Sequence, residues 1–493
     1  MGNEIGVVFT PQEWALFAIE RFGLFDKWLG GSTICDPTMG SGNLLLALIE
    51  CGRRRGLSPS ALPVDRLFGV ERDRRHFQGI FTAAGEMYGL SLRRENFLNK
   101  DIFFLKNERS FDILLGNPPW RNFTDLPAPY KEKTKKLFFG YGLVGDSRDL
   151  LLGGSRIDIA ALVLQKTIQK NLKPGGEGVF FIPLSLLLND GAHAPFRAYT
   201  VNGVRYCIDT VFDCGGLNIF DGISTRYGLI HLRRDKQQEF PLRYHRWTGK
   251  AWEELSAKPL FAANAPLSVS RECAEFARIE VPARCVPRQG VNTCGANDVF
   301  FFDEYLSLDN GVCRVANKTA RALLPKQYVF PLAVGENFTE PQPLARKWVF
   351  IPHAGSGKPL DPQTIAESPL LADYLEKNRE RLASRRGTLI NTWIRKGLFW
   401  ALLGVGGYSF YPYKIIWEAY GKSAFRPKLF PGHWQANQAL QAFMPFERAD
   451  EARKVLGRLA GGDVEKYLLS LKMEGTMNWA QPGKIKRFLI LLP

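Results

Sequence analysis

The chain has 493 residues, a formal net charge of +16 and 45% hydrophobic residues, which is enough apolar material to fill two domain cores. The positive charge favours a partner rich in phosphate. The eight cysteines form no Cys-x-x-Cys pair and stand beside no histidine cluster, so neither a disulfide framework nor a metal site such as zinc is expected.

The ends of the chain and its apolar runs bear on the cellular compartment. Residues 1–14 have neither a basic cluster nor the apolar core of a signal peptide. No uninterrupted apolar run reaches membrane-spanning length. We therefore expect a soluble protein of a reducing compartment, a bacterial or archaeal cytoplasm, with no membrane partner.

The first informative segment is a glycine-rich turn between a predicted strand and a predicted helix. Residues 32–35 predict a short buried strand, and Asp36-Pro37-Thr38-Met39-Gly40-Ser41-Gly42-Asn43 leads from it into an apolar helix over residues 44–49. Such a turn lets a nucleotide-like ligand approach the backbone near a helix N-terminus. The turn lacks the Gly-Lys-Ser/Thr ending of a phosphate-binding loop. Because Asp36 would repel an anion, we expect a ligand that carries a sulfonium or an ammonium group.

Two later segments add candidates for contacts with a nucleoside. Residues 66–70 predict a strand that is followed by Glu71, whose carboxylate could accept hydrogen bonds from both hydroxyls of a ribose. Further along, Asn96 and Phe97 offer an amide and an aromatic ring for the edge and the face of an adenine. Phe97 could equally be a core residue. Residue types and spacing fit a ligand that contains adenosine.

The segment Asn117-Pro118-Pro119-Trp120 directly follows an apolar run, residues 111–115, that predicts a buried strand. Two consecutive prolines fix φ and remove two donors, so the loop becomes a stiff platform of acceptors. The Asn117 side-chain oxygen and the Pro118 carbonyl could accept both hydrogens of an exocyclic amino group, and the Trp120 ring could stack on a heteroaromatic base. Asn-Pro and Pro-Pro are also common turn formers, so the tetrapeptide alone leaves a purely structural role open.

From about residue 7 to about residue 234, short apolar runs alternate with helical patterns, which predicts a doubly wound α/β domain with a parallel sheet. The turns after Cys35, Val70 and Leu115 would then lie at one edge of the sheet, where open α/β sheets bind ligands. Lys133 and Lys135 belong to a lysine-rich stretch that follows the Pro-Pro loop. We interpret this stretch as a mobile lid that contacts phosphates, although a solvated loop would have the same composition.

After residue 236 the pattern becomes irregular and rich in aromatic residues. We therefore predict two domains, residues 1–236 with the ligand-binding turns and residues 237–493 as a second, irregular α+β domain. Side chains of the types that read base edges in DNA occur in the second domain at Arg288, Gln289 and Asn292, where they could equally stabilise turns. Candidates for phosphate contacts are Arg381, Arg385 and Arg386.

Over its whole length the chain resembles the DNA methyltransferases that methylate amino groups with S-adenosylmethionine. It is similar to the class in which the cofactor motifs precede the catalytic loop and a target-recognition domain comes last. The resemblance implies a Rossmann-like methyltransferase sheet and assigns cofactor contacts to Thr10, Pro11, Asp36, Pro37, Gly40, Gly42, Glu71, Asn96 and Phe97. It assigns the catalytic loop to Asn117, Pro118, Pro119 and Trp120, with Phe220 as a second aromatic ring for the target base. Residues 156–160 would support this loop.

Two residues depart from the usual pattern of these enzymes. Asn96 stands where they more often have Asp, so hydrogen bonding to the amino group of the cofactor would have to use the amide oxygen. Trp120 replaces the commoner Tyr or Phe. Its larger indole would still stack on a base, in a pocket of different shape.

The resemblance implies a site-specific enzyme that flips an adenine out of double-stranded DNA and methylates its N6 amino group, in a restriction-modification or phage-defence system. Its partners would be double-stranded DNA and subunits of such a system. Cytosine-N4 methyltransferases share this chemistry but more often carry Ser at the place of Asn117. RNA and protein-glutamine methyltransferases usually lack a C-terminal half of this kind. A non-catalytic subunit of a defence complex would not need the intact cofactor and catalytic motifs.

Overall fold

The computed structural model describes residues 8–105, 109–144, 157–189, 192–223, 225–260, 262–270, 279–420, 424–470 and 480–492. The chain divides into two compact units, Met1–Glu275 and Phe276–Pro493. The boundary predicted after residue 236 falls inside the first unit and is corrected, because three further strands continue the first sheet beyond it. Of the segment predicted to support the catalytic loop, Arg156 lies outside the described residues.

The first unit is built on one sheet. Its described strands are β1 (Ile34–Asp36), β2 (Leu67–Val70), β3 (Phe97–Leu98), β4 (Phe111–Gly116), β5 (Leu172–Pro183), β6 (Thr200–Val201), β7 (Val204–Asp213), β8 (Tyr227–Arg234), β9 (Leu242–Trp247), β10 (Trp252–Pro259) and β11 (Leu267–Ser270). Strands β3, β2, β1, β4 and β5 lie side by side in this order and run parallel. Their carboxyl ends therefore meet at one edge, as the sequence predicts.

Beyond β5 the sheet is mixed. Strand β8 is antiparallel to β5 and to β7, whereas β9 is parallel to β7 and antiparallel to β10. The short β6 pairs with β7, and β11 pairs with β10. The prediction of a parallel sheet is wrong for this half, because β7 and β8 are antiparallel neighbours and the described residues between them, 214–223 and 225–226, form no crossover helix.

Helices cover both faces of this sheet, which confirms the predicted α/β layering. The helices of the first unit are α1 (Gln12–Arg21), α2 (Leu24–Leu29), α3 (Asn43–Arg54), α4 (Arg74–Tyr88), α5 (Ala128–Gly140), α6 (Ile159–Lys170) and α7 (Ser185–Leu188). The buried side chains of α1 to α4 form one apolar cluster with the sheet. Those of α5 to α7 belong to a second cluster. Because both faces are buried, the central strands carry apolar side chains on both sides.

The lysine-rich stretch after the Pro-Pro loop is helical where it is described. Lys133 and Lys135 lie on α5, which packs through the buried Thr134 and Phe138. The Thr134 hydroxyl donates to the carbonyl of Tyr130 at 2.9 Å within the helix. The stretch predicted as a mobile lid is therefore a packed helix that exposes Lys133 and half-buries Lys135, and its contact with phosphates stays a prediction.

The second unit combines small sheets with short helices, as predicted for an irregular α+β domain. Its strands are β12 (Ile279–Pro282), β13 (Arg288–Gln289), β14 (Phe301–Phe302), β15 (Glu304–Ser307), β16 (Val312–Ala316), β17 (Arg321–Pro325), β18 (Val329–Leu332), β19 (Lys347–Phe350), β20 (Tyr413–Glu418), β21 (Lys428–Pro431), β22 (Gln441–Phe446) and β23 (Leu489–Leu492). Its helices are α8 (Asn297–Phe300), α9 (Pro362–Ala366), α10 (Pro369–Lys377), α11 (Arg379–Ala383), α12 (Thr388–Arg395), α13 (Ala449–Leu459), α14 (Gly462–Ser470) and α15 (Pro482–Phe488). They stand around sheets of order β13-β22-β20-β21, β14-β19-β18, β15-β16-β17 and β12-β23. Among the residues described in either unit, no helix is long and apolar enough to cross a membrane.

A buried carboxylate stabilises the mixed half of the first sheet. Asp213, at the end of β7, is fully buried. Its oxygens accept hydrogen bonds from Arg226 and, at 2.7 Å, from the Tyr244 hydroxyl on β9. The backbone N–H of Gly215 donates to the same carboxylate at 3.0 Å. Three chain segments are thus joined through one ion.

We expect Asp213→Ala to lower the free energy of unfolding by about 3–5 kcal/mol, because the Arg226 guanidinium loses its carboxylate in a buried site. Tyr244→Phe removes a single hydrogen bond and should cost about 1–3 kcal/mol. Urea denaturation followed by circular dichroism measures both. Asp221→Ala, at an exposed position of the same unit, is the matched control and should stay within about 0.5 kcal/mol. Equal effects of Asp213→Ala and Asp221→Ala would contradict the assigned role.

Candidate active site

A pocket opens at the carboxyl ends of β1, β2 and β4, with about 860 Å³ of atom-free space that is partly open to solvent. Several sequence-predicted residues line it together, namely Thr10, Asp36, Pro37, Gly40, Glu71, Asn117 and Pro119. They come from four separate segments of the chain. The parallel strand order brings these segments to one edge.

Asp36 is a buried acidic group in this pocket. Its side chain is 1% exposed, and its Oδ1 accepts a hydrogen bond from the Thr38 backbone N–H at 2.9 Å. Burial raises the pKa of Asp36 to about 8, and the nearby Glu71 carboxylate adds to the rise, while the Thr38 hydrogen bond opposes it. A carboxyl held in this way ionises readily only when a positive charge comes close.

The glycine turn and Glu71 are tied to each other. Glu71 Oε2 accepts a hydrogen bond from the Gly40 N–H at 2.9 Å, and its Oε1 accepts one from the Asp73 N–H at 2.6 Å. Gly40 has φ of +55°, a left-handed conformation that favours glycine. These bonds fix the Glu71 carboxylate at the pocket wall and leave further lone pairs for a ligand.

Gly42 lies behind the pocket and makes close packing of the turn feasible. Its φ is +84°, and a Cβ there would stand 2.4 Å from the Ile80 side chain on α4. It does not line the pocket. Gly42 therefore lets the turn pack closely against α4 and does not contact a ligand in the pocket directly.

Asn117 presents an oriented amide to the pocket. Its Nδ2 donates hydrogen bonds to the Val8 carbonyl and to Thr10 Oγ1, both at 3.2 Å. Because a carbonyl can only accept, the Val8 contact fixes which end of the amide is nitrogen. The Asn117 Oδ1 is buried and has no hydrogen-bond partner among the described residues. A buried acceptor without a donor costs about 1–3 kcal/mol, so the site is built for a donor that arrives with a ligand.

Thr10 connects the N-terminal segment to the start of α3 and to the Pro-Pro loop. Its carbonyl accepts from Asn43 Nδ2 at 2.9 Å, at the start of α3, while its hydroxyl accepts from Asn117. The following Pro11 is the N-cap residue of α1 and lies outside the pocket lining. Of the predicted Thr-Pro pair, only Thr10 therefore faces the site.

The residues after Trp120 are paired with the start of α6. The Phe123 N–H donates to the Ile157 carbonyl, and the Ile159 N–H donates to the Arg121 carbonyl, each at 2.9 Å. Asp158 caps α6 by accepting from the Ala160 N–H at 2.8 Å, and burial raises the pKa of Asp158 to about 7. The described part of residues 156–160 thus contacts the loop in the way that the resemblance implies.

Trp120 and Phe220 lie together behind the loop, in an aromatic cluster with Tyr227. Phe220 is 1% exposed, and its ring meets the Trp120 ring edge-on at 5.0 Å between centroids. Trp120 Nε1 is buried without a hydrogen-bond partner in the described part of the chain. Neither ring lines the pocket, and neither does Pro118. The structure therefore does not present Phe220 to a ligand in this conformation.

Asn96 and Phe97, predicted to contact an adenine, are not brought into this pocket. Asn96 Nδ2 donates to the Asp65 carbonyl at 2.7 Å, and Phe97 is 3% exposed with its ring against Phe81. The reason is that β3 is only two residues long and the chain reaches the pocket a few residues later. Phe97 packs in the core, whereas Asn96 bonds to the turn before β2 and lines a second cavity that shares Pro37, Val70 and Ile102 with this pocket.

The pocket is lined instead by Asp101, Ile102 and Phe103, which the sequence reasoning missed. Asp101 Oδ1 accepts from the Phe103 N–H and its Oδ2 accepts from the Tyr130 hydroxyl, both at 2.9 Å. The Arg72 guanidinium lies over the Tyr130 ring at 5.1 Å. An acid followed by apolar residues just after a strand end is the signal that would have found this segment. The structure thus provides an acid and an apolar wall where an adenine contact was sought.

The base-reading candidates of the second unit are mostly engaged in internal contacts. The Arg288 guanidinium lies over the Tyr408 ring at 4.6 Å, and Gln289 Oε1 accepts from Gln438 at 2.8 Å. Asn292 Oδ1 accepts from the Cys294 N–H at 2.7 Å, which closes a local turn. Arg288 remains exposed at its edge strand.

The three arginines predicted to contact phosphates differ in their exposure. Arg385 is 4% exposed, and its guanidinium donates to the carbonyls of Leu382, Thr293 and Phe399. It is therefore a structural residue, and its predicted phosphate contact is corrected. Arg381 is exposed and pairs with Asp298 at 3.2 Å. Arg386 is exposed.

A metal site needs several ligating side chains close together. In the described part of the chain, no group of three or more His, Cys, Asp or Glu side chains is placed to hold a metal ion. The polar groups that line the pocket are carboxylates, an amide, hydroxyls, backbone groups and the basic side chains of Arg72, His76 and Lys100. They suit an organic ligand that carries hydroxyl and amino groups.

The parallel order β3-β2-β1-β4-β5 with helices on both faces, the antiparallel β8, and a pocket at the carboxyl edge define a Rossmann-like S-adenosylmethionine-dependent methyltransferase fold with an additional domain. The chain has the fold of the Type IIL restriction-modification enzyme MmeI, solved in complex with DNA. The TM-score is 0.56 at 13% identity, over 96% of this chain and 65% of that one. A nuclease-deletion mutant of the Type ISP restriction-modification enzyme LlaGI, in complex with a DNA substrate mimic, gives a TM-score of 0.52 at 11% identity, over 98% and 54%.

In sequence, the chain is 26% identical over 121 residues to the Type II methyltransferase M.VspI of Vibrio sp. (strain 343), which is 24% of this chain and 26% of that protein. The chain thus matches about a quarter of the curated relative and just under two thirds of MmeI. No family model matches. The likeness confirms the predicted resemblance to restriction-modification methyltransferases at the level of the fold.

The raised pKa of Asp36 predicts a pH-dependent stability. Between pH 3.8 and about 8 the unfolded chain releases the Asp36 proton while the folded protein keeps it. Rising pH in this window therefore favours the unfolded chain. We expect the free energy of unfolding of the wild-type protein to fall, relative to that of Asp36→Asn, as the pH rises from about 4 to about 8. Urea denaturation at a series of pH values measures the difference, and parallel pH profiles of the two proteins would contradict it.

Proposed function

We propose that the protein is a site-specific DNA methyltransferase that transfers a methyl group from S-adenosylmethionine to the N6 amino group of an adenine flipped out of duplex DNA. The observation that carries this proposal is the Asn117 amide. Its nitrogen is held by Val8 and Thr10, and its buried oxygen lacks a donor among the described residues. An exocyclic amino group supplies such a donor.

The pocket fits S-adenosylmethionine by the chemistry of its donor set. Asp36 would balance a positive charge, Glu71 would accept from ribose hydroxyls, and the Asp101 carboxylate would accept from an adenine amino group. The left-handed Gly40 lets a ligand approach the backbone of the turn. When bound, the cofactor supplies a methyl group already activated by its sulfonium.

The catalytic loop would act on the target amine by position and hydrogen bonding. Asn117 Oδ1 and the Pro118 carbonyl would each accept one hydrogen of the amino group, which directs its lone pair toward the methyl donor. Flipping the base costs roughly a few kcal/mol. Stacking on Trp120 would offset this cost at roughly 1–3 kcal/mol. Trp120 would need to expose a ring face that its contact with Phe220 leaves partly covered.

The proposed substrate and cellular role are supported by the structurally similar enzymes and by the net charge of the chain. MmeI was solved in complex with DNA and LlaGI with a DNA substrate mimic, both as restriction-modification enzymes. The net charge of +16 favours a polyanion. We therefore propose double-stranded DNA as the substrate, restriction or defence subunits as partners, and the cytoplasm of a prokaryote as the location.

The direct test is to incubate the purified protein with S-adenosylmethionine that carries a labelled methyl group and with unmethylated genomic DNA. The DNA is then digested to nucleosides. Labelled N6-methyladenine supports the proposal. Labelled N4-methylcytosine would show that the protein methylates DNA at cytosine instead of adenine. Labelled RNA in a parallel incubation would show that RNA is the substrate instead of DNA. Absence of label, although the cofactor binds, would contradict methylation of DNA by this chain alone.

Asn117→Ala should reduce turnover by about 100-fold or more, because it removes an acceptor that acts on the reacting nitrogen. Cofactor affinity should change by less than about threefold, since the amide oxygen is assigned to the target and Thr10 keeps its hydrogen bond from Asn43 at the glycine turn. Single-turnover methylation and calorimetric titration measure the two quantities. Asn122→Ala, in the same loop, is the control and should retain turnover. Equal losses of turnover and cofactor affinity in Asn117→Ala would refute the assigned role.

Glu71→Gln should have the opposite effect. The amide keeps the size of the side chain and one acceptor, but it loses the charge-assisted hydrogen bonds to ribose, so cofactor affinity should fall by about tenfold or more. Turnover at saturating cofactor should change far less. Calorimetric titration with S-adenosylmethionine measures the affinity, with the exposed Glu95→Gln as the matched control. An unchanged affinity of Glu71→Gln would exclude Glu71 from the cofactor site.

A further inference from the structure

The second unit contains a long stretch of chain without carboxylates. No Asp or Glu occurs between Glu380 and Glu418, while six basic residues do, namely Arg381, Arg385, Arg386, Arg395, Lys396 and Lys414. Arg385 and Lys414 are buried, and Arg381 pairs with Asp298. The other three are exposed and flank or end α12. Within the described residues, none of these three has an ion-pair partner.

Helix α12 (Thr388–Arg395) is packed on one side only. Ile390 is its buried residue. The exposed residues repeat at intervals of three and four and therefore share one side of the helix and its end; they are Thr388, Leu389, Thr392, Arg395 and Lys396. We refer to these five residues as the α12 face.

The α12 face combines positive charge with an exposed apolar group. Leu389 is 68% exposed, the highest value among the large hydrophobic side chains of the described chain. Lys396 Nζ lies 5.5 Å from the centre of the Trp393 ring, which supports its position next to the helix end. The Thr392 hydroxyl donates to the Thr388 carbonyl at 3.1 Å, and the residue is exposed. Leu389 and Thr392 thus lie between Arg386, which precedes the helix, and Arg395 and Lys396 at its end.

We propose that the α12 face enters a groove of the DNA substrate and is a sequence-reading element of this protein. Arg386, Arg395 and Lys396 contact phosphates, while Leu389 and the Thr392 methyl group contact base edges, for which the thymine methyl is the apolar partner in the major groove. This inference rests on the proposed function for its substrate. It assigns recognition to a helix distinct from the Arg288, Gln289 and Asn292 segment.

The charge of the face argues against a second copy of the chain as its occupant. A symmetric contact through Leu389 would bring Arg395 and Lys396 of both copies together, without a carboxylate on either face. Duplex DNA satisfies the same cations with phosphates and offers apolar methyl groups between them. The distribution of charge and apolar surface therefore fits DNA.

The test uses the full chain and the DNA that it methylates. Arg395→Ala/Lys396→Ala should weaken DNA binding and reduce the slope of log affinity against log salt by about two, through the loss of two phosphate contacts. The control is Lys377→Ala/Arg448→Ala, which removes the same charge from exposed side chains that are paired with Asp373 and Asp450. It should leave the slope nearly unchanged. Leu389→Ala should keep the slope and reduce the preference for the methylated sequence over an unrelated duplex by about fivefold or more.

The outcomes separate this inference from the proposed function. An unchanged slope in Arg395→Ala/Lys396→Ala, with the same DNA still methylated, overturns the role of the α12 face and leaves the proposed function intact. DNA binding that depends on the α12 face, in a protein that transfers no methyl group, supports the face and refutes the function. A dimer that Leu389→Ala dissociates in sedimentation velocity, with unchanged DNA affinity, would assign the face to a second copy and overturn the inference.

Discussion

The hydrogen bonds from the Asn117 amide nitrogen to Val8 and Thr10 set the direction of its side-chain oxygen, a buried acceptor that lacks a donor among the described residues. Thr10 also receives the Asn43 side chain at the start of α3. The N-terminal segment thus joins the glycine turn and the Pro-Pro loop, which are far apart in sequence. Both proposed ligand positions depend on this short segment, because it fixes the loop relative to the turn.

The parallel part of the sheet makes this junction feasible. Strand β1 lies between β2 and β4, so Asp36 at the end of β1, Glu71 after β2 and Asn117 after β4 meet at one edge. The pairing of the loop with the start of α6 then holds it from the other side. Rigid elements on both sides keep the acceptor platform in place, which is what catalysis by positioning requires.

The sequence could place Asp36, Glu71 and Asn117 together because each ends or directly follows a strand, which is a strong local signal; their roles stay predictions. It could not show that Asn96 and Phe97 lie outside this pocket, since a strand of two residues does not reveal where the chain enters the pocket. Arg385 shows another limit: its burial depends on the carbonyls of Thr293 and Phe399, which are distant in the chain. The domain boundary was misplaced because β9 to β11 are antiparallel and half-exposed, so their sequence resembles irregular chain. In each of these cases the position of the residues depends on contacts between parts of the chain that are distant in sequence.

The buried Asp36 has a consequence for the order of events in the proposed reaction. Burial and the Glu71 carboxylate raise the pKa of Asp36 to about 8. Ionisation of this carboxyl and the arrival of a cation are therefore thermodynamically linked. In the proposed reaction Asp36 would balance the sulfonium charge of the bound cofactor, and this charge would be lost together with the methyl group. The Asp36 carboxyl would then again favour its proton. A single desolvated acid would in this way let the site distinguish fresh cofactor from spent cofactor, and would assist the exchange that begins the next cycle.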